Sequence, residues 1–220
     1  MALSLTLQRL QDRCMKIEQL TAGCPLPATV SSPARQSRET LWDGTEITVR
    51  DLEPEDFPSV MALADNLSGD ELYLRFFTYH PHHLAEWARS VTEPAVGNVA
   101  LGAFDGESLL AVGNSVAVDD AGTAEISVVV AHRNHRRGIA TALLRRLAEH
   151  AKSTGTQRLT AEVLIQNRDM RQLIADAGWP CSQRRNDEVL TIEVDLADAC
   201  STGMAEPEPT ASLPATCTAR

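Results

Sequence analysis

The chain is predicted to be a mixed α/β (α+β) protein, a mostly antiparallel sheet with one parallel pair of strands, flanked by helices. Three observations predict it. Three β-branched, apolar runs at 98–104, 108–118 and 124–131 are separated only by Asp105-Gly106 and by Asp119-Asp120-Ala121-Gly122. Such turn signals fold successive strands into an antiparallel meander. The third run then passes through a short basic loop into an apolar-periodic helix from Gly138 and on to a further strand at 158–165. A strand–helix–strand unit closes with a right-handed crossover and a parallel pair. With 220 residues, 43% of them hydrophobic, the chain can bury the core of one domain and carry tails.

Taken in order, residues 1–40 stand apart as an N-terminal extension. Leu5, Leu7, Leu10, Met15, Ile17 and Leu20 suggest an amphipathic helix, and the Pro-, Ser- and Thr-rich stretch 24–40 reads as a linker. The folded module is expected at 41–196. It opens with a strand at 46–51 and helices at 54–67, 70–78 and 81–91, ahead of the meander. The long helix spans 138–153. A second amphipathic helix at 168–177 has Asn167 as N-cap, Met170, Leu173, Ile174 and Ala177 on its apolar face, and Gly178 as its stop. A last strand lies at 189–194, and 197–220, rich in Ala, Thr, Pro and Glu without apolar period, is expected to be disordered.

Composition excludes several classes of function. A net charge of −10 disfavours a general nucleic-acid binder, because phosphate attraction needs a basic face. No window is apolar enough to span a membrane, and the N-terminus does not resemble a secretory signal. The cysteines, Cys14, Cys24, Cys181, Cys200 and Cys217, are odd in number and form no CxxC pair. Neither a disulfide framework nor a zinc site is suggested, and a cytoplasmic location fits best. His80, His82 and His83 could donate to a metal, but no nearby cysteine or matching acid completes a tetrahedral set, so no metal is expected. The oligomeric state is open, a homodimer included.

The chemistry concentrates in residues 125–144. A strand that runs through a tight turn into a helix N-terminus makes an anion site, since the first-turn N–H groups lack intrahelical partners and the helix dipole is positive there. Gly138 lets the backbone approach a phosphate closely, Ala140 is the next smallest choice, and Arg133, Arg136 and Arg137 add charge. Neither Gly-x-Gly-x-x-Gly nor Gly-Lys-Ser/Thr is present, which argues against dinucleotide and nucleoside triphosphate folds. The order His135-x-x-Gly138-x-Ala140 resembles the Gln/Arg-x-x-Gly-x-Gly/Ala signature of the GNAT family of N-acetyltransferases. In that family this loop holds the pyrophosphate of acetyl-coenzyme A. His135 is the one departure.

The resemblance implies a GNAT-type sheet whose parallel strands splay, with acetyl-CoA as co-substrate. His135, Arg136, Arg137, Gly138, Ile139, Ala140 and Thr141 would then hold the pyrophosphate. Main-chain groups of Val128, Val129 and Val130, freed by a bulge and by the splay, would hold the pantetheine arm and polarise the thioester, with Asn167 beside them. Many members carry a Tyr general acid in the Asn-led helix, where this chain has Ile174.

A narrower resemblance, to bacterial Pat-type protein lysine acetyltransferases, rests on their Leu-Ser-x-x-Ser-x-Tyr-x-Arg-Phe-Phe segment. This chain keeps Leu67, Ser68, Tyr73, Arg75, Phe76 and Phe77 and replaces the second Ser with Glu71. It implies Glu125 as catalytic base and a protein lysine as acceptor; His132, within reach of the acetyl site by sequence, is the runner-up base. A small-molecule amine as acceptor, or a non-catalytic acyl-CoA sensor, are the alternative readings. Read as residues alone, Tyr73, Phe76 and Phe77 are core packing of a short helix.

Overall fold

The computed structural model describes residues 36–95, 97–118 and 122–196. Its eight strands form one sheet in the order β1-β2-β3-β4-β5-β6-β8-β7. They are β1 (Gln36–Thr40), β2 (Glu46–Asp51), β3 (Val99–Asp105), β4 (Ser108–Ala117), β5 (Thr123–Val130), β6 (Arg158–Leu164), β7 (Cys181–Asn186) and β8 (Val189–Asp195). Helices α1 (Phe57–Asp65), α2 (Gly69–Phe76) and α3 (Leu84–Thr92) lie between β2 and β3, α4 (Ile139–Ser153) between β5 and β6, and α5 (Arg168–Asp176) between β6 and β7. Every neighbouring pair of strands is antiparallel except β5 and β6. The predicted fold class is therefore the observed one.

The meander forms as expected, and β3 is buried at six successive positions, Val99 to Phe104, because helices cover both of its faces. On one face α1 and α3 pack Val60, Leu63, Trp87 and Val91 against Ala100, Phe104, Val112 and Val129. On the other, Ile139, Leu143 and Leu147 of α4 meet Val49, Leu101 and Ala111. Gly113 lets α4 come close, since a Cβ there would lie 3.2 Å from Leu147 and 3.3 Å from Leu143. A third cluster, around Leu144, Leu159, Ile174 and Ile192, joins α4 and α5 to the β6–β8 half.

Three features depart from the sequence reading. The sheet begins at Gln36, inside the stretch read as a linker: β1 pairs with β2 from Gln36↔Arg50 to Thr40↔Glu46. Glu39 of β1 also binds Arg145 at 2.6 Å and Arg146 at 2.5 Å on α4, and no local pattern reveals partners so distant in sequence. Strand β7 was passed over because all six of its residues are exposed and lack apolar alternation; it exists as the outer arm of a hairpin with β8, turned at Asp187 with φ 52°. The bulge implied near Val128 to Val130 does not appear, for β4 and β5 pair in constant register from Ala111↔Val130 to Ala117↔Ala124. A register shift lies instead between β3 and β4, at Ala103/Phe104. The proposed N-terminal helix and the C-terminal tail lie outside the described residues.

Candidate functional site

β5 and β6 pair only at Thr123↔Arg158, Ala124↔Leu159 and Glu125↔Thr160, after which they part. The wedge between them opens into a groove of about 530 Å³. Glu125 to Val130 form one wall, Ala161 to Val163 the other, and α2, the loop after β5 and the first turns of α4 and α5 close the ends.

Backbone direction within β5 follows from its pairing. The N–H of Ala131 donates to Leu110 O on β4, so by two-residue alternation Val128 and Val130 turn their own polar groups away from β4, toward the parted edge. Val129 is turned the other way: it faces Val112 across the ladder and its side chain joins the core under α1 and α3. All three valines expected to offer main-chain groups line the groove, but Val128 and Val130 turn those groups to the parted edge and Val129 turns its own to β4. Parting of the strands, not a bulge, exposes them.

The loop before α4 forms a cradle for an anion. Arg136 has φ 58° and Gly138 has φ 93°, left-handed backbone on either side of Arg137. The first bond of α4 runs from Ala142 N–H to Gly138 O, leaving the N–H groups ahead of it for a ligand. Gly138, Ile139, Ala140 and Thr141 all border the groove. Ile139 does so through backbone, because its side chain is buried in the core.

The side chains expected to bind phosphate divide. Arg136 borders the groove, with Nη2 3.8 Å from Asp169 Oδ1 at the start of α5. Arg137 turns back into the protein, donating to Asp43 at 2.8 Å, Asn134 at 3.0 Å and Thr45 at 3.1 Å. Those bonds tie the loop to the β1–β2 turn. Hydrogen bonds from Thr45, and then Arg137, hold the Asp43 carboxyl down at about 2. His135 borders the groove, with its Nε2 2.9 Å from Val130 O and 3.1 Å from Glu71 Oε1. Asn167 caps α5, accepting from Met170 N–H at 3.0 Å, and borders the groove. Ile174, which replaces the Tyr of many relatives, is 2% exposed and packed in the core.

Glu125 sits at the last parallel pair, the apex of the wedge, with one carboxylate oxygen shielded from solvent. Four further acids border the same groove, Glu71 on α2, Glu162 on β6, and Asp169 and Asp176 on α5. They lie far from Glu125 in sequence, so reading neighbours along the chain could not show them. Below Glu125, Ser127 donates to Asn114 at 2.6 Å, and Arg75 of α2 reaches the same Asn114 oxygen at 3.4 Å. Phe76 and Phe77 are core residues, as their helical spacing predicts. Tyr73 stacks on Tyr79, centroids 4.6 Å apart, and its phenol is pushed above the usual range by desolvation, then by Glu188 and Tyr79.

Sequence reasoning missed Trp42. It is 77% exposed, and its indole would meet a Cβ on Gly138 at 3.4 Å, which places it beside the cradle. An isolated Trp next to the Asp43-Gly44 turn was the available signal.

Comparison with known proteins agrees with this geometry. Residues 51–179 match the model of the acetyltransferase (GNAT) family. Among solved structures, the GNAT domain of Streptomyces lividans Pat is 28% identical, with 73% of this chain and 96% of that one covered and a TM-score of 0.67. The PaiA N-acetyltransferase of Thermoplasma acidophilum, in complex with coenzyme A, is 18% identical over 68% of this chain and 98% of its own, at a TM-score of 0.53. A cAMP-binding acyltransferase from Mycobacterium smegmatis is 20% identical, covering 94% of this chain and 57% of its own, at a TM-score of 0.54. The last two likenesses concern the fold alone.

Proposed function

The chain belongs to the acetyltransferase (GNAT) family and is an acetyl-CoA-dependent N-acetyltransferase, and from that membership we propose that its acceptor is the ε-amine of a protein lysine. The observation that carries the site assignment is the wedge itself. A parted parallel pair ends in an anion cradle at one end and has a shielded carboxylate at its apex. The likeness to the Pat domain, 28% identical, supports the lysine acceptor.

The cradle fits a pyrophosphate, with Gly138, Ala140 and Thr141 offering N–H groups and Arg136 adding charge. The coenzyme supplies an activated thioester. Val128 N–H and Val130 N–H are the donors placed to stabilise the oxyanion that develops when the amine attacks its carbonyl carbon. Glu125 accepts the proton that the acceptor ammonium must lose before its nitrogen can attack. The N–C bond forms as the C–S bond breaks, and the departing thiolate takes a proton. No Tyr on α5 donates it, since Ile174 holds that place, so solvent in the groove or the acceptor's second proton serves.

Labelled acetyl-CoA incubated with the enzyme and, separately, with unfolded and folded protein substrates and a panel of free amines tests the acceptor. Label on lysine side chains is expected. Turnover of free amines with no label on any protein would replace lysine by a small amine. Among the described residues no helix is long and apolar enough to cross a membrane, and a cytoplasmic site of action belongs to the same proposal.

A further inference from the structure

We propose that Glu71, His132 and His135 form a binding site for one zinc-class divalent cation, tying α2 to the loop that precedes α4. The three donor atoms lie within 4.8 Å of one another. Glu71 Oε1 is 3.1 Å from His135 Nε2 and 3.6 Å from His132 Nδ1. Tetrahedral zinc with bonds of about 2.0–2.1 Å places its ligand atoms roughly 3.4 Å apart, so these separations bracket the required one. The carbonyl of Val130 lies 2.9 Å from His135 Nε2, beside the group.

The carboxylate is oriented for the task. Glu71 Oε2 accepts from Ser68 N–H at 2.8 Å, while Ser68 Oγ accepts from Glu71 N–H, the reciprocal capping box that starts α2. That bond fixes the carboxylate and presents Oε1 to both imidazoles, as a partner beyond the metal's own ligands does in metal sites. Oε1 is shut off from solvent and accepts no hydrogen bond, although both imidazole nitrogens lie beside it. A buried carboxylate oxygen left without a hydrogen bond is costly. A cation between the three groups removes that cost, and His₂Glu is a zinc ligand set that leaves a position open. Glu71 and His135 are also the two places where the chain departs from the motifs it otherwise follows. They meet in space.

An ion pair alone could hold Glu71 to His135 without a metal, and His132 separates the two cases. It is 81% exposed, so the fold does not depend on it, yet the cation does. Titrating zinc chloride calorimetrically into the reduced full-length protein without coenzyme should show a site of micromolar Kd or tighter. His132→Gln and Glu71→Gln should each weaken it at least about tenfold, some 1.4 kcal/mol, while a His82→Gln/His83→Gln double variant should leave it unchanged. Absence of zinc binding, or binding that survives in His132→Gln, would overturn the site. Because the readout is metal uptake without coenzyme, it is independent of the acetyl-transfer reading.

Discussion

At Glu125 the parallel ladder ends and the groove begins, and a single substitution there should separate binding from chemistry. Glu125→Gln keeps the shape but cannot accept a proton, so turnover should fall by roughly 10²–10⁴ while coenzyme A affinity hardly moves. The acidic limb of the pH–rate profile should disappear with it. Glu162→Gln is the necessary companion, because Glu162 lines the opposite wall. If only Glu162→Gln loses activity, the base is on β6. Gly138 offers a second test with an internal control. Its φ of 93° strains any side chain, while a Cβ would only come into contact with Trp42 at 3.4 Å. Gly138→Asn and Gly138→Asp share that strain, but only Asp brings an anion to the cradle. Coenzyme A affinity should therefore fall at least about tenfold in Asp, some 1.4 kcal/mol, and clearly less in Asn, as read by calorimetry. The positions of Glu125 on its strand, of Gly138 before α4 and of Asn167 as the N-cap of α5 were legible because local pattern sets them. Side-chain type left His135 and Arg137 open: Arg137 turns to Asp43, Asn134 and Thr45, while His135 borders the groove and meets Val130 O and Glu71, and only the fold shows which way a side chain turns.

Among the elements, the start of α1 depends on an ion pair. Arg50 of β2 grips Asp56 through two bonds of 2.6 and 2.7 Å, and Asp56 also accepts from Glu53 N–H at 2.9 Å. The Arg50 bond above all holds the Asp56 carboxyl below its ordinary value of 3.8. A lowered folded value means that the stabilisation is complete above the unfolded value and is lost as pH falls through it toward the folded one. Stability should thus decline below about pH 4, and Asp56→Asn should weaken that decline while costing roughly 2 kcal/mol at neutral pH. Urea denaturation at pH 7 and at pH 3 measures both. Element boundaries read from the sequence were close wherever apolar period and punctuation coincide, as in α5 between Asn167 and Gly178. They failed at β1 and β7, two edge strands whose side chains are half-exposed or exposed, since period-2 burial is the signal that identifies a strand.

For the molecule as a whole, β1 sets where an autonomous domain must begin. A protein covering 36–196 should fold and bind coenzyme A, whereas one covering 41–196 loses the edge strand and the Glu39 bridge to Arg145 and Arg146. The shorter protein should melt several degrees lower, as about 1–2 kcal/mol of lost contacts implies for a domain of this size. Equal melting temperatures would show β1 to be dispensable. The order of the helices and of the six strands other than β1 and β7, the meander, the crossover and the strand–turn–helix at Gly138 were present in local pattern, because period, turn chemistry and helix-end chemistry act over a few residues. The parting of β5 from β6, the acids that join Glu125 in the groove, Trp42 beside Gly138 and the meeting of Glu71 with His132 and His135 were not. Each is a relation between segments distant along the chain, and it exists only once packing of the three cores has set those segments against one another.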